Sequence, residues 1–387
     1  MKHLITRTIL VLSLVSLFTD LSSEMLYPIM PLFLQSIGFS TILIGVLEGF
    51  AEAIAGLSKM YFGRLSDDMG RRMPFVRLGY FFSAISKPML AFFTFPLWIF
   101  SARTIDRLGK GLRTGARDAL LSDESTPENK ATVFGFHRAL DTTGAVLGPL
   151  MALVYLQYRP EDYKTLFLIA FIPAILSVLF TFIIKEQRKA LTAIKPATSL
   201  LEKFSYWKSS PTAFRQLMIG LLFFGLINSS DVFLLLQTKQ ITGDDSKVLM
   251  VYIFYNLVFA LFALPLGRLA DKIGMKKMIV FGLVLFSVVY TGMGLTGDFR
   301  VVLLLFFLYG IYAAATEGVA KALISNLVPK TATASAIGFY AGWNSICAFV
   351  ASSVTGLIWY AVSPEAAFIC SAGGSLLAAI YLYSRRW

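Results

Sequence analysis

Charge and cysteine are both scarce in this chain: of 387 residues, 15% are charged and two are cysteines. Cys347 and Cys370 sit in apolar segments without metal or disulfide spacing. That speaks against a disulfide framework or a cysteine metal site and reads as core filling. The chain has no His-Glu-x-x-His, no Gly-x-Ser-x-Gly and no phosphate-cradling Gly-Lys-Ser/Thr loop. Those absences argue against a zinc or serine hydrolase and against an ATP-driven pump built from this chain alone. No catalytic residue, metal or cofactor is expected.

What is plentiful is apolar sequence, 56% of the residues with a mean hydropathy of +0.69. Apolar runs recur along the whole length, which predicts an all-α, polytopic membrane protein. The first run continues through Asp20 and Glu24 into more helix and has no small-residue cleavage site, so it reads as a span and not a signal peptide. Twelve spans are predicted, at roughly 8–36, 40–62, 73–94, 97–120, 130–156, 164–185, 213–238, 247–266, 276–296, 300–325, 332–361 and 364–384. Each is long enough to cross about 30 Å of hydrocarbon at about 1.5 Å per residue.

The formal charge of +12 has a topological reading rather than a nucleic-acid one. With the N-terminus in the cytoplasm, Lys and Arg favour the inside loops by about four to one, which places both termini inside. The longest loop, 186–212, is basic, carries Pro196 and Pro211, and lies at the midpoint. It is predicted to link two six-helix halves, 1–185 and 213–387. Its Phe204, Tyr206 and Trp207 suit a short amphipathic piece on the membrane surface.

The halves repeat each other. GRLSDDMGRR from Gly63 matches GRLADKIGMK from Gly267, GARDALLSD from Gly115 matches GVAKALISN from Gly318, and GFH from Gly135 matches GFY from Gly338. The matches keep one order and offsets of 203 or 204 residues. A duplicated membrane chain places its solute site at the interface of the repeats near the midplane.

Span 4 carries Arg103, Asp106, Arg107, Lys110, Arg113, Arg117 and Asp118. At about 100° per residue these charges fall within an arc of about 140°. A charge facing lipid near the bilayer centre costs roughly 2.5–3.5 kcal/mol on insertion scales, so the stripe must face water or other helices. Span 1 offers Asp20, Glu24 and Tyr27 on one face, and they should meet that stripe. Two readings are open for these acids: a static ion pair with Arg103 or Arg107, or a carboxylate that titrates when its Arg partner moves. Pro28 and Pro31 should bend the outer end of the helix. Lys87 in span 3 is expected to pair with Glu48 or Glu52 of span 2.

In span 5, His137, Asp141, Gly144 and Gly148 share a face, with Arg138 beside them. His137 next to Asp141 is either a proton-handling pair or a plainly hydrogen-bonded histidine. The glycines suit a close helix crossing. The second half is poorer in charge. Asn228 and Asp231, Glu317 and Lys321, and Asn344 are its polar candidates, with Glu317 expected to pair with Lys321 at i,i+4.

In the Gly63–Arg72 stretch, read as the loop after span 2, Gly63 permits close packing and Gly70 a tight turn. Asp67 can face the positive end of the helix that starts near Ala332. Gly267 and Asp271 occupy the matching places in the second copy. With its twelve spans, two halves and basic linker, the chain resembles the major facilitator superfamily, whose signature lies between helices 2 and 3. The resemblance implies that Arg71 pairs with Asp118 or Asp123 and that the motif latches the inner side shut. The alternative is that its basic residues only enforce topology. Arg107 with Gly111 fits the family's Arg-x-x-x-Gly, although Lys110 stands where Gln is usual, and Arg103 one turn away can fill the same role. GAVLGP resembles the helix 5 motif of drug–proton antiporters, with the later glycines missing. The helix 1, 4 and 5 segments together resemble a bacterial subgroup of unassigned substrate.

The expectation is therefore a monomeric, proton-coupled secondary transporter in the bacterial inner membrane. It would move a small anionic or zwitterionic organic solute by alternating access. Its partners are the solute, protons and the lipid bilayer, with no nucleic acid. Efflux of a drug or siderophore is the alternative, and an intramembrane enzyme or a non-transporting receptor is more remote.

Overall fold

The computed structural model describes residues 5–27, 29–184, 186 and 206–385. Regular structure among them is wholly helical. The first seven helices are α1 (Arg7–Leu26), α2 (Met30–Ser36), α3 (Thr41–Asp68), α4 (Met73–Phe92), α5 (Pro96–Asp123), α6 (Lys130–Tyr158) and α7 (Tyr163–Thr181). The next seven are α8 (Thr212–Gly225), α9 (Val232–Thr242), α10 (Asp245–Ile273), α11 (Met275–Leu295), α12 (Phe299–Asn326), α13 (Thr333–Ala361) and α14 (Pro364–Ser384). Among the described residues, eight helices are long and apolar enough to cross a membrane; α3, α4 and α5, which carry ionisable side chains, are not among them.

Local chemistry sets the helix starts. The side chains of Thr6, Ser40, Asp162, Asp298 and Ser363 each accept a first-turn backbone N–H. Proline occupies the first turn of α2, α4, α5 and α14, where a missing N–H costs nothing.

Two predicted spans are broken. Span 1 divides into α1 and α2, with Pro31 in the first turn of α2; Pro28 lies outside the described residues. Span 7 divides into α8 and α9 across Leu226–Asp231, where Asn228, Ser229 and Ser230 can compete for backbone hydrogen bonds. Other spans run further than their apolar cores. α3 reaches Asp68 and α10 reaches Ile273, so Gly63–Asp68 and Gly267–Asp271 are helical and not loop.

Contacts divide the chain into two compact units. The first comprises 1–125, 140–209 and 329–342; the second comprises 126–139, 210–328 and 343–387. In the first unit α1 packs on α7, α4 on α5 and α7, α3 on α5, and α2 on α3. In the second, α8 packs on α14, α11 on α12 and α14, α10 on α12, and α9 on α10. Each pairing in one unit has its counterpart seven helices along in the other, as the sequence repeat requires.

The linker lies largely outside the described residues, Phe204 included. Tyr206 and Trp207 do not lie out as an amphipathic surface piece. Tyr206 is buried, and the Trp207 ring stacks on Phe339 at 6.3 Å, so ring packing against protein replaces contact with the membrane surface. Cys347 is buried, whereas Cys370 is exposed and fills no core.

Candidate functional site

The site grows from α5 in the first unit. Glycines let this helix approach its neighbours closely. A Cβ on Gly79 of α4 would stand 2.7 Å from the Gly109 carbonyl oxygen, and one on Gly111 would collide with Ser58 of α3. Backbone that close leaves the flanking charged side chains of α5 facing α3 and α4. Lys87 of α4, itself buried, pairs with Asp106 at 2.8 Å and also reaches Ser23 of α1 at 3.4 Å. The expected partner was Glu48 or Glu52. The α4–α5 contact delivers Asp106 first, and Glu52 instead takes Arg107 at 3.4 Å. Arg113 donates to Ser83 Oγ and lies over the Tyr80 ring at 4.7 Å. Arg117 grips its neighbour Asp118 through Nε and Nη2 at 2.9 and 2.8 Å and donates to Ser16 Oγ at 2.9 Å.

These elements surround a cavity of about 620 Å³, open solvent included. Its wall carries five basic side chains, Lys87, Arg103, Arg107, Lys110 and Arg113, against three acids, Asp20, Glu24 and Asp106. The span 1 acids and the span 4 stripe therefore meet at one void. Asp20 also stands against α6, where a Cβ on Gly144 would lie 3.2 Å from the Asp20 Cβ. The cause is the α1–α6 crossing. A Cβ on Gly148 would stand 2.7 Å from both the Leu21 carbonyl oxygen and the Met25 nitrogen, and Gly144 is as tight against Leu17. Asp141 lies one turn before Gly144, on the face of α6 turned to α1.

The duplicated motif makes the second cluster. In the first unit Asp67 Oδ2 accepts from the Ser335 backbone N–H at 2.6 Å and from its hydroxyl at 2.7 Å, in the first turn of α13. Arg72 holds Asp67 Oδ1 at 3.0 Å and Asp123 at 3.1 Å, and donates to the Lys330 carbonyl at 2.9 Å. The arginine was expected to be Arg71 and its partner Asp118 or Asp123. Gly70, at φ +58°, turns the chain so that Arg71 is exposed while Arg72 points inward, and Asp118 is already taken by Arg117. Burial pushes the Asp67 carboxyl up to about 6 in spite of Arg72 and the Ser335 donors. In the second unit Asp271 accepts from the backbone N–H groups of Ala131 and Thr132 at 2.9 and 2.7 Å, at the start of α6. Gly63 and Gly267 pack on Ala334 and Ala131 respectively, again as counterparts.

The remaining candidates lie in the second unit and are scattered. Arg138 pairs with Glu317 and lies 5.7 Å from the centre of the Phe259 ring. Glu317, expected to pair with Lys321, thus also meets a guanidinium that α6 brings to it. Tyr309 donates to Asp231, and Asn228 donates to Tyr312 at 3.3 Å. Asn344 is half-buried beside Gly225. His137 is buried and belongs to the second unit, whereas Asp141 belongs to the first. Sequence reading missed Arg72, Ser335 and Thr132. The last two were findable: hydroxyl residues occupy matching places in the two copies, each at a helix start.

A sequence profile of the Major Facilitator Superfamily matches residues 12–255 and 239–386. The chain belongs to that superfamily. An uncharacterised MFS-type transporter of Methanocaldococcus jannaschii is 31% identical over 97% of this chain and 93% of its own length. A Lactococcus lactis homologue of the multidrug resistance efflux pump PmrA is 23% identical over 81% of this chain and 78% of its own. Among solved structures, the human organic anion transporter MFSD10 superposes with a TM-score of 0.83 at 17% identity, covering 97% of this chain and 99% of that one. The fold is thus the two-domain superfamily fold, and the chain is a multi-pass superfamily transporter.

Proposed function

We propose that this superfamily member is a proton-coupled secondary transporter for a small organic solute that carries a carboxylate or phosphate. It works as a monomer in the bacterial inner membrane with both termini in the cytoplasm. Two six-helix halves, 1–185 and 213–387, joined by 186–212, alternate in access. The carrying observation is the cavity wall, where five basic side chains face three acids. Guanidinium and ammonium groups in a restricted space select anions, and the surplus of two basic groups over the acids leaves room for a negatively charged solute. The latch role belongs to Asp67, Arg72 and Asp123, with Asp271 as its second copy. Either Arg103 or Arg107 fills the superfamily's helix 4 role, since both line the cavity. The organic anion transporter of like fold agrees with this reading.

Export of a drug or siderophore is the second reading. The efflux-pump relative and the GAVLGP stretch favour it. Proteoliposomes separate the two readings. A panel of organic anions, siderophores and cationic drugs is offered with an inward proton gradient, an outward one and none. Anion accumulation with an inward gradient supports the first reading. Accumulation of drug or siderophore against an outward gradient moves the assignment to the second. Flux indifferent to the gradient removes proton coupling, and binding without flux makes the protein a receptor.

A further inference from the structure

The duplicated stretch that ends α10 differs from its counterpart in α3 by more than the latch arginine. In the first copy Arg64 pairs with Asp68, one turn on, at 3.0 Å. The second copy has Lys272 in the place of Asp68, so the same spacing sets Lys272 beside Arg268, and both are exposed. Like charges one turn apart on a helix repel. Lys276 and Lys277 follow across the turn at Gly274. The acid of this run, Asp271, is turned away from them and accepts from the first N–H groups of α6. A third element reaches the same corner. The Lys276 amine donates to the Arg385 carbonyl, which holds the end of α14 against the start of α11, and the exposed Arg385 guanidinium lies over the Tyr381 ring at 4.7 Å.

We infer that this corner of the second unit, built from Arg268, Lys272, Lys276, Lys277 and Arg385, binds the headgroup of an anionic phospholipid. What lies beneath the charges favours a lipid over a soluble phosphate. α10, α11 and α14 are all long and apolar enough to cross a membrane, and the cations stand where these helices end or begin. Leu269, Phe281 and Ile380, within a turn or two of the cations on the same three helices, are exposed. A phosphate held by the cations therefore has its acyl chains against apolar side chains. The long stems of Lys and Arg also let the charged heads reach a headgroup while covering apolar surface. A zwitterionic headgroup brings an ammonium of its own, which the cluster repels, whereas a net negative one is attracted.

The general bias of Lys and Arg toward inside loops accounts for the sign of the charge here. It does not account for a lysine in the one place where the other copy makes an ion pair, nor for the end of a third helix held against it. A lipid phosphate accounts for both. It separates Arg268 from Lys272 electrostatically, as Asp68 does for Arg64 from within the chain. The first copy thus takes its counter-charge from its own helix, and the second takes it from the bilayer.

The test is native mass spectrometry of the full-length protein in detergent, offered equal amounts of phosphatidylglycerol and phosphatidylcholine of one chain length. Phosphatidylglycerol held in preference to phosphatidylcholine is the expected result. A cation near an anionic headgroup is worth about a fivefold change in affinity. Lys272→Gln should therefore lower the preference about fivefold, and Lys272→Gln with Lys277→Gln about 25-fold. Lys272→Asp should abolish it with the fold intact, because an acid then stands one turn from Arg268 as Asp68 does from Arg64. Arg71→Gln, which removes an exposed cation of the first copy, should leave the preference unchanged. Equal retention of the two lipids by the wild type overturns the inference without any variant. A preference that survives Lys272→Asp overturns it too. So does an equal loss in Arg71→Gln, which would mark net charge and not a site. Displacement of phosphatidylglycerol by an equal concentration of glycerol 3-phosphate would mark a soluble-phosphate site and overturn the lipid assignment.

Discussion

The two copies of the duplicated motif use one backbone plan and two chemistries. Each has an aspartate at the end of a long helix, Asp67 or Asp271, seated on the first turn of another, α13 or α6. Each has a glycine with positive φ after it, Gly70 at +58° and Gly274 at +101°. The copies part at the next two positions. The first reads Arg71–Arg72, and Arg72 ties Asp67 to Asp123. The second reads Met275–Lys276, with Met275 buried and the Lys276 amine donating to the Arg385 carbonyl. The same contrast runs through the units. The first is held at its centre by ion pairs around α5, the second by tyrosine and phenylalanine, with Tyr290 stacked on Phe286 at 3.9 Å. Duplication preserved the packing and released the charges, so the site chemistry is concentrated in the first unit.

That contrast can be broken by substitution. The largest effect should come from Lys87→Met, which leaves Asp106 buried without its ammonium partner. A stability loss of about 3–5 kcal/mol is expected in detergent melts, restored in large part by adding Asp106→Asn. Arg72→Gln should cost about 2–3 kcal/mol through three lost charge-assisted contacts, while the matching Lys276→Gln should stay within about 0.5 kcal/mol. Equal costs at the two positions would erase the asymmetry between the copies.

A pH effect sharpens it. The folded Asp67 carboxyl titrates at about 6, above its ordinary value of 3.8. An acid whose folded pKa is raised binds its proton more tightly in the folded chain. Its contribution is therefore full below pH ~4 and fades as pH rises through about 6. The melting temperature of the wild type relative to Asp67→Asn should fall across that window and then level. The smallest effects belong to the turns. Gly70→Ala and Gly274→Ala should each cost about 1 kcal/mol, more at Gly274, whose backbone lies further from the left-handed helical well that other residues can occupy.

The direction of the α5 charges was legible because insertion cost fixes it: seven charges on one arc have nowhere to go but inward. The duplication was legible as matched strings, and Asp67 facing a helix start followed from the dipole. Partner choice was not. Lys87 chose Asp106 over Glu52, Arg72 acted in place of Arg71, and Glu317 met Arg138 from another helix. Each choice depends on helix rotation and on which neighbour arrives within a few ångströms, and a helical wheel of one segment holds no such information. The approach of Asp20 to α6 belongs to the same class, because two glycines of that helix decide it.

The claim that the α5 stripe faces water is tested most directly at Lys110. In a chain with Cys347 and Cys370 changed to Ala, Lys110→Cys is exposed to a charged, water-soluble thiol reagent and to a lipid-soluble maleimide. Rapid modification by the charged reagent, slowed by transported anion, is the predicted result. Modification by the lipid-soluble reagent alone would place Lys110 in the bilayer and contradict the account.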